Sequence, residues 1–555
     1  MKLHLSTSLK CLLLLLVWLP VKADPAKDNR PPVVSPSKPN IVLIMADDMG
    51  FADIGCYGGE IPTPNIDGLA ANGLRFSQFY NTSRCCPTRA SLLTGLYQHQ
   101  AGIGEMTSRR ETSTEGFVGH LNAHCVTIAE ALKPAGYHTY ISGKWHVGAD
   151  DEAWWPRQRG FDRFYGLTGG ASSYFRPKGL YKDNELLEIP NDPEYYTTDR
   201  FTDYAIKFLK EQKDNAPFFL YLAYTAPHWP LHAKEEDIAR FVGKYRDGWD
   251  ALRKDRFARQ VELGIVPEEQ GLSPRDFEVP AWDTLTREQQ EDLDYRMAVY
   301  AAQIYSMDQN IGRVVEYLRK AGELDNTLIV FLSDNGGCPE PWQTREPTGI
   351  SHLGGGKRED INNPNKGGGI SYGQGWANAS NTPFRRYKTQ SHEGGISTPL
   401  VLHWPQGLKV KAGSIVYTPG HIIDIMPTFL ELAGADYPNV VNGHYIHPVA
   451  GKSLVPILKH GDRRPHEWLF WEHRLEGAVR HGDWKAIFRQ TTGRWFLYNM
   501  AQDRTETVDL AAKYPEILNL MKSKWWEWAL THKATPETLP PRPEVDKSPD
   551  FRALP

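Results

Sequence analysis

The chain has 555 residues, with 63 Lys and Arg against 67 Asp and Glu, for a formal net charge of −4. That length can bury a large core in one to three domains. The near-neutral, slightly acidic balance argues against a general nucleic-acid binder and leaves small anionic substrates open. Its 17 Trp and 25 Tyr suit aryl or carbohydrate ligands, although buried aromatic core is their commoner use.

Residues 1–23 read as a secretory signal: Lys2 and Lys10, the short apolar run Leu12 to Trp18, then Val21-Lys22-Ala23 as a cleavage site. The run is too short to span a bilayer, and no later run is long enough. An exported protein, periplasmic or secreted and without a membrane span, is expected to start near Asp24. Residues 24–38, rich in Pro, Lys and Asp, read as a flexible lead-in.

Pro39 to Met45 is a continuous apolar run of the kind buried on both faces of a parallel sheet. Phe218 to Tyr224, Thr327 to Leu332 and Pro399 to His403 share that character. Helical patterns lie between, at Cys125 to Ala135, Asp199 to Gln212 and Arg296 to Lys320. Residues 338–380, with glycines at 354–356 and 367–369, read as a long loop excursion. From about 462, four short segments around Trp468, Val479, Trp484 and Trp495 suggest a small antiparallel sheet, followed by a helix from about Pro515 to Leu530. The expected fold is α/β: a large mixed, mainly parallel sheet sandwiched by helices, with a smaller C-terminal antiparallel sheet plus helix. The expected division is a catalytic domain over 39–460, a subdomain over 461–534 and a tail over 535–555.

Chemistry-bearing residues sit at the ends of these runs. Asp47 and Asp48 follow the first strand, and Asp334-Asn335 follows another. Ligands in open α/β sheets gather at the carboxyl ends of strands. Three carboxylates and an amide oxygen make a hard set suited to Ca²⁺ or Mg²⁺ rather than zinc, although each pair alone also fits an ordinary capped turn. Lys144 and His146, two apart in Gly143-Lys144-Trp145-His146-Val147-Gly148, point the same way if that segment is extended. His228 follows the strand ending at Tyr224, between prolines, and Lys388 precedes the last apolar run. Trp229, Trp376 and His473 are candidates for an outer pocket, each more often structural in such a setting.

The most specific string is Cys85-Cys86-Pro87-Thr88-Arg89 followed by Leu93-Thr94-Gly95. Pro87 disfavours helix at Cys86, so a turn entering a helix is expected. Alone, the string also fits a disulfide partner or a buried thiol pair. With the aspartate pairs, Lys144, His146, His228 and Lys388 in the same order along the chain, it resembles the signature of the type I sulfatases, in the alkaline phosphatase superfamily. The resemblance covers roughly residues 38 to 530, and Gly248 to Arg253 and Leu272 to Asp283 look like the bacterial arylsulfatase branch. Thr88 stands where many members have serine.

The resemblance implies hydrolysis of an aryl or carbohydrate sulfate ester. It implies that a formylglycine-generating or equivalent maturation enzyme converts Cys85 to formylglycine (3-oxoalanine). The hydrated aldehyde would then attack sulfur and form a covalent sulfo-enzyme. Asp47, Asp48, Asp334, Asn335 and the group at Cys85 would ligate Ca²⁺, with Mg²⁺ the second choice. Arg89 would orient the formylglycine, and Lys144, His228 and Lys388 would bind the sulfate. His228 would also assist the departing alcohol, and His146 would take a proton so that sulfate is eliminated. A two-metal phosphatase on the same general fold would be expected to use Ser or Thr at position 85 and a second ligand set. A binding protein that had lost catalysis would be expected to lack at least one of these polar residues. Setting aside Cys11 and Cys85 leaves Cys56, Cys86, Cys125 and Cys338, which allow three pairings.

Overall fold

The apolar run after Pro39 forms the strand Asn40–Asp47, buried along its whole length. Its side chains alternate between two cores, with Val42 and Ile44 in one and Ile41, Leu43 and Met45 in the other. A strand with apolar residues on both faces must be covered on both, and this one lies at the centre of a ten-stranded sheet. The computed structural model describes residues 38–108, 114–340, 353–367 and 369–534. The export signal over 1–23, the lead-in up to residue 37 and the tail over 535–555 lie outside the described residues.

Five neighbouring strands run parallel: Thr327–Ser333, Asn40–Asp47, Phe218–Pro227, His138–Lys144 and Arg163–Leu167. Beside them, Leu400–His403 runs antiparallel to Thr327–Ser333. The expected large, mainly parallel sheet is therefore present, and the one reversed apolar run brings its N-terminal end to the edge where its neighbours finish.

The helices follow their capping chemistry. Arg287–Ala321 begins nine residues earlier than the apolar periodicity indicates, because Thr286 and Gln289 form a capping box there, and it ends at Gly322 with φ 75°. The segment expected as a helix over 125–135 is helical only from Ile128, where Thr127 and Glu130 make a second capping box, and it tightens to a 3-10 turn over Lys133–Ala135. Inside the expected loop excursion, Gln374–Ser380 is a buried helix. Trp376 on it packs against Trp249 and Trp282 and donates Nε1–H to the Leu293 carbonyl at 3.0 Å, so it is core and not pocket. Among the described residues no helix is long and apolar enough to cross a membrane. The five described cysteines are buried free thiols.

The C-terminal segments form a four-stranded antiparallel sheet, Leu469–His473, Glu476–His481, Trp484–Arg489 and Arg494–Asn499, with the helix Pro515–Thr531 following. Trp525 of that helix donates to the Trp471 carbonyl at 2.9 Å. Only glycine fits at 477, since a Cβ there would lie 2.6 Å from the Trp525 ring. Lys485 ties this sheet to the main body through Glu393 at 2.8 Å and Glu506 at 2.7 Å, and Arg504 adds Glu393 at 3.0 Å. All four side chains are buried. Removing one member strands the others: Lys485→Ala is expected to cost roughly 3–5 kcal/mol, read as a lowered denaturation midpoint. A variant as stable as the parent would show that the cluster contributes nothing to holding the sheet in place.

Candidate active site

Strand direction assembles the site. Asp47, Lys144 and Asp334 lie at or just past the C-terminal ends of parallel strands, and His228 follows the strand Phe218–Pro227. Lys388 reaches the same edge ahead of the reversed strand. The helix Cys85–Thr94 presents its N-terminus there, and its Gly95 C-cap is left-handed at φ 68°. The helix starts at Cys85 rather than after Pro87. Pro87 falls in the first turn, where its missing N–H has no intrahelical partner to lose. Arg89, four residues on, lies on the same helix face as Cys85.

Each predicted cation meets an acid. Lys144 Nζ is 2.6 Å from Asp47 Oδ2, and Lys388 Nζ is 2.6 Å from Asp48 Oδ1. Arg89 grips Asp334 Oδ2 through Nη2 at 2.8 Å and Nε at 3.2 Å, and lies 3.6 Å from Asp47. Asn335 Nδ2 donates to Asp48 Oδ1 at 2.8 Å, and the Asp48 N–H donates to Asp334 Oδ1 at 3.2 Å. All of these side chains are buried. Burial pushes Asp47 up, and burial with the nearby Asp47 charge pushes Asp334 up to about 7. Burial also works against ionised Asp48, but His228 and Lys388 together outweigh it and hold that carboxyl low.

This donor set fits a hard divalent cation. Asp47 Oδ1 and Asn335 Oδ1 are buried with no hydrogen-bond partner. Asp48 Oδ2 lies 3.3 Å from His228 Nε2, outside hydrogen-bond geometry. Oxygens left bare at this depth are costly unless something positive takes them. Asp47, Asp48 and His228 have ligand atoms within 4.8 Å of one another. The geometry therefore places His228 beside Asp47 and Asp48, two of the five expected ligands.

The position of Cys85 favours negative charge. A hydrogen bond from Cys86 holds its thiol well below the usual range, against the effect of burial, and Lys144, His146 and Lys388 add to that. The helix N-terminus acts in the same direction. His146 also converges on Cys85, but not from an extended segment: its φ is 57°, a strained left-handed value for a non-glycine residue. Its amide is fixed by the Thr168 carbonyl at 3.1 Å, and Gly170 leaves room for its ring, which a Cβ there would meet at 2.8 Å. Burial pulls both His146 and His228 down to about 4. His228 Nδ1 lies 2.6 Å from the Trp229 carbonyl, so this nitrogen carries a proton and Nε2 faces the site.

Above Cys85 opens a pocket of about 860 Å³, lined by Cys85, His146, His228 and Lys388 at its floor and by Trp229 on its wall. Of the outer candidates, Trp229 lines it, whereas Trp376 and His473 do not. Glu393, five residues past Lys388, belongs to the buried cluster around Lys485.

Sequence reasoning passed over Arg84, which lines the pocket and pairs with Glu340 at 2.6 Å. Its place just before Cys85 was the available signal. Tyr300 was also missed: its hydroxyl reaches the Asp48 carbonyl at 3.2 Å and Asp53 at 2.8 Å. A tyrosine more than 250 positions away carries no local mark of that contact.

The sulfatase family model matches residues 39–435, and the model of the N-sulphoglucosamine sulphohydrolase C-terminal region matches 386–529. An uncharacterized sulfatase of Schizosaccharomyces pombe is 36% identical over 520 residues, covering 88% of this chain and 93% of its own. The arylsulfatase of Klebsiella aerogenes is 37% identical over 445 residues, covering 77% of this chain and 94% of its own. The crystal structure of Ps i-CgsB is 28% identical with a TM-score of 0.65, over 91% of this chain and 95% of that one. That protein is also known in complex with k-i-k-neocarrahexaose. Read with the acid pairs and cations gathered around Cys85, these matches mean that the chain belongs to the sulfatase family of the alkaline phosphatase superfamily, as a sulfuric ester hydrolase.

Proposed function

We propose that this chain releases inorganic sulfate from an aryl or carbohydrate sulfate ester, using Cys85 converted to formylglycine by a maturation enzyme. The hydrated aldehyde would supply the attacking hydroxyl, which no encoded side chain here provides. The observation that carries the reading is the buried convergence of Arg89, Lys144, His146, His228 and Lys388 around Cys85, at the floor of an open pocket. The saccharide in the Ps i-CgsB complex favours a carbohydrate as the alcohol. Ion chromatography of sulfate released from a panel of sulfated sugars and one aryl sulfate tests it. Mature protein that frees sulfate from none of them overturns it.

In this reading Lys144 and Lys388 hold the sulfuryl oxygens, where negative charge builds as the ester breaks. Arg89 fixes the orientation of the group at position 85 from one helical turn away. His228 binds the sulfate and assists the departing alcohol oxygen from Nε2. His146 takes a proton at the group on position 85 in the second half of the reaction.

Asp47, Asp48, Asp334, Asn335 and the oxygen at position 85 would hold one Ca²⁺, with Mg²⁺ the second choice. The ion would supply fixed positive charge beside the reacting sulfate. Native protein is then expected to carry one divalent ion per chain by elemental analysis, and Asp334→Ala to lose it. The variant should also lose activity and stability, because the site's remaining carboxylates stay clustered without a cation. Full activity of Asp334→Ala after exhaustive chelation would rule this ligand set out. We further propose that residues 1–23 direct export to the periplasm or medium, and that 39–460 form the catalytic domain and 461–534 a subdomain behind it.

A further inference from the structure

The pocket above Cys85 is rimmed by basic side chains that the hydrolytic reading does not use. Arg176 and Lys178 stand on one loop and Lys366 on another, and all three line the pocket. The whole chain carries a net charge of −4, so the local excess does not follow from a basic protein. Arg84 is committed to Glu340 and Lys388 to Asp48. Arg176 and Lys178 are exposed and make no ion pair with a described residue. Among the described residues Lys366 pairs with Asp360 alone, at 3.3 Å. The acids of the lining are Asp150 and Glu340.

The rim is held in place by hydrogen bonds. The Lys178 N–H donates to Ser172 Oγ at 2.7 Å, and the Arg176 N–H donates to Ser173 Oγ at 3.2 Å. Ser173 Oγ donates in turn to the Pro364 carbonyl at 3.0 Å, which ties this loop to the one carrying Lys366. Three cations on two stitched loops, over a cleft that on the proposed function holds one sulfate, form an electrostatic funnel. Arginine in such a place suits a planar, bidentate grip on an oxyanion.

We propose that Arg176, Lys178 and Lys366 bind a second oxyanion carried by the leaving alcohol, so that the preferred substrates are saccharides with at least two anionic groups. This rests on the sulfatase reading above. The second group is a sulfate or a carboxylate, which share the chemistry the rim recognises.

Calorimetric titration of the mature enzyme tests this without turnover. The probes are inorganic sulfate, sucrose octasulfate and trigalacturonate, against the parent protein and Arg176→Ala/Lys178→Ala. The ratio of the octasulfate dissociation constant to that of inorganic sulfate is expected to rise roughly tenfold in the double variant. The octasulfate affinity of the parent should also fall with added salt. The same rise for trigalacturonate alone would assign the rim to carboxylates and still support a second oxyanion. An unchanged ratio for both polyanions overturns the proposal, even if the enzyme hydrolyses sulfate esters. A shifted ratio in a protein that hydrolyses none would instead leave the rim standing and sink the sulfatase reading.

Discussion

Cys85→Ala is expected to leave a folded protein that has lost turnover by on the order of 10⁴-fold or more, because the remaining site has no nucleophile. Cys85 sits at the first position of its helix, buried at the pocket floor beside Cys86 and the ionic groups of the site. Cys86→Ala is the matched control. Cys86 faces the Met106 sulfur at 3.4 Å and does not line the pocket. Its loss should cost about 1 kcal/mol of stability and little of the rate. The same experiment addresses maturation. In protein from a competent host, the peptide carrying Cys85 should be lighter than its thiol form by the difference between a thiol and an aldehyde. Full activity with the thiol intact would defeat the formylglycine assignment, whatever Cys85→Ala does.

Much of this candidate site was legible because ligand-binding groups in an open α/β sheet gather at strand ends. Asp47-Asp48, Lys144, His228 and Asp334-Asn335 each follow an apolar run that any period count detects. What escaped had no local mark. An apolar run does not encode its direction, so the reversal of Leu400–His403 had to come from the fold. The first nine residues of the helix Arg287–Ala321 are too polar for a periodic signal and are fixed instead by the Thr286 capping box. The left-handed backbone at His146 bends a segment that alternation would draw straight. Trp376 sat in a glycine-rich stretch that suggested a loop, yet two distant tryptophans bury it. The basic rim depends on two loops being stitched together through Ser173, which spacing along the chain does not reveal.

The two histidines of the pocket floor should separate kinetically. His146 Nδ1 is buried without a hydrogen bond, and the ring reaches the group at position 85. Burial holds it near 4, so at neutral pH it is a base rather than an acid. On the proposed mechanism, its loss leaves the first half-reaction intact and the second without its proton acceptor. His146→Ala is therefore expected to release about one alcohol per active site in a burst and then to stop, the kinetic sign of a blocked second step. His228 differs in its partners. Its Nδ1–H is spent on the Trp229 carbonyl, and its Nε2 stands 3.3 Å from Asp48. His228→Ala should give no burst and should slow the first cleavage most for alcohols that leave poorly, because these depend most on assistance at the departing oxygen. Rapid-quench kinetics with a chromogenic aryl sulfate and a sulfated sugar resolves the pair. If His146→Ala shows steady slow turnover without a burst, or if His228→Ala slows good and poor leaving groups alike, the division of labour between them is wrong, while hydrolysis at Cys85 could stand.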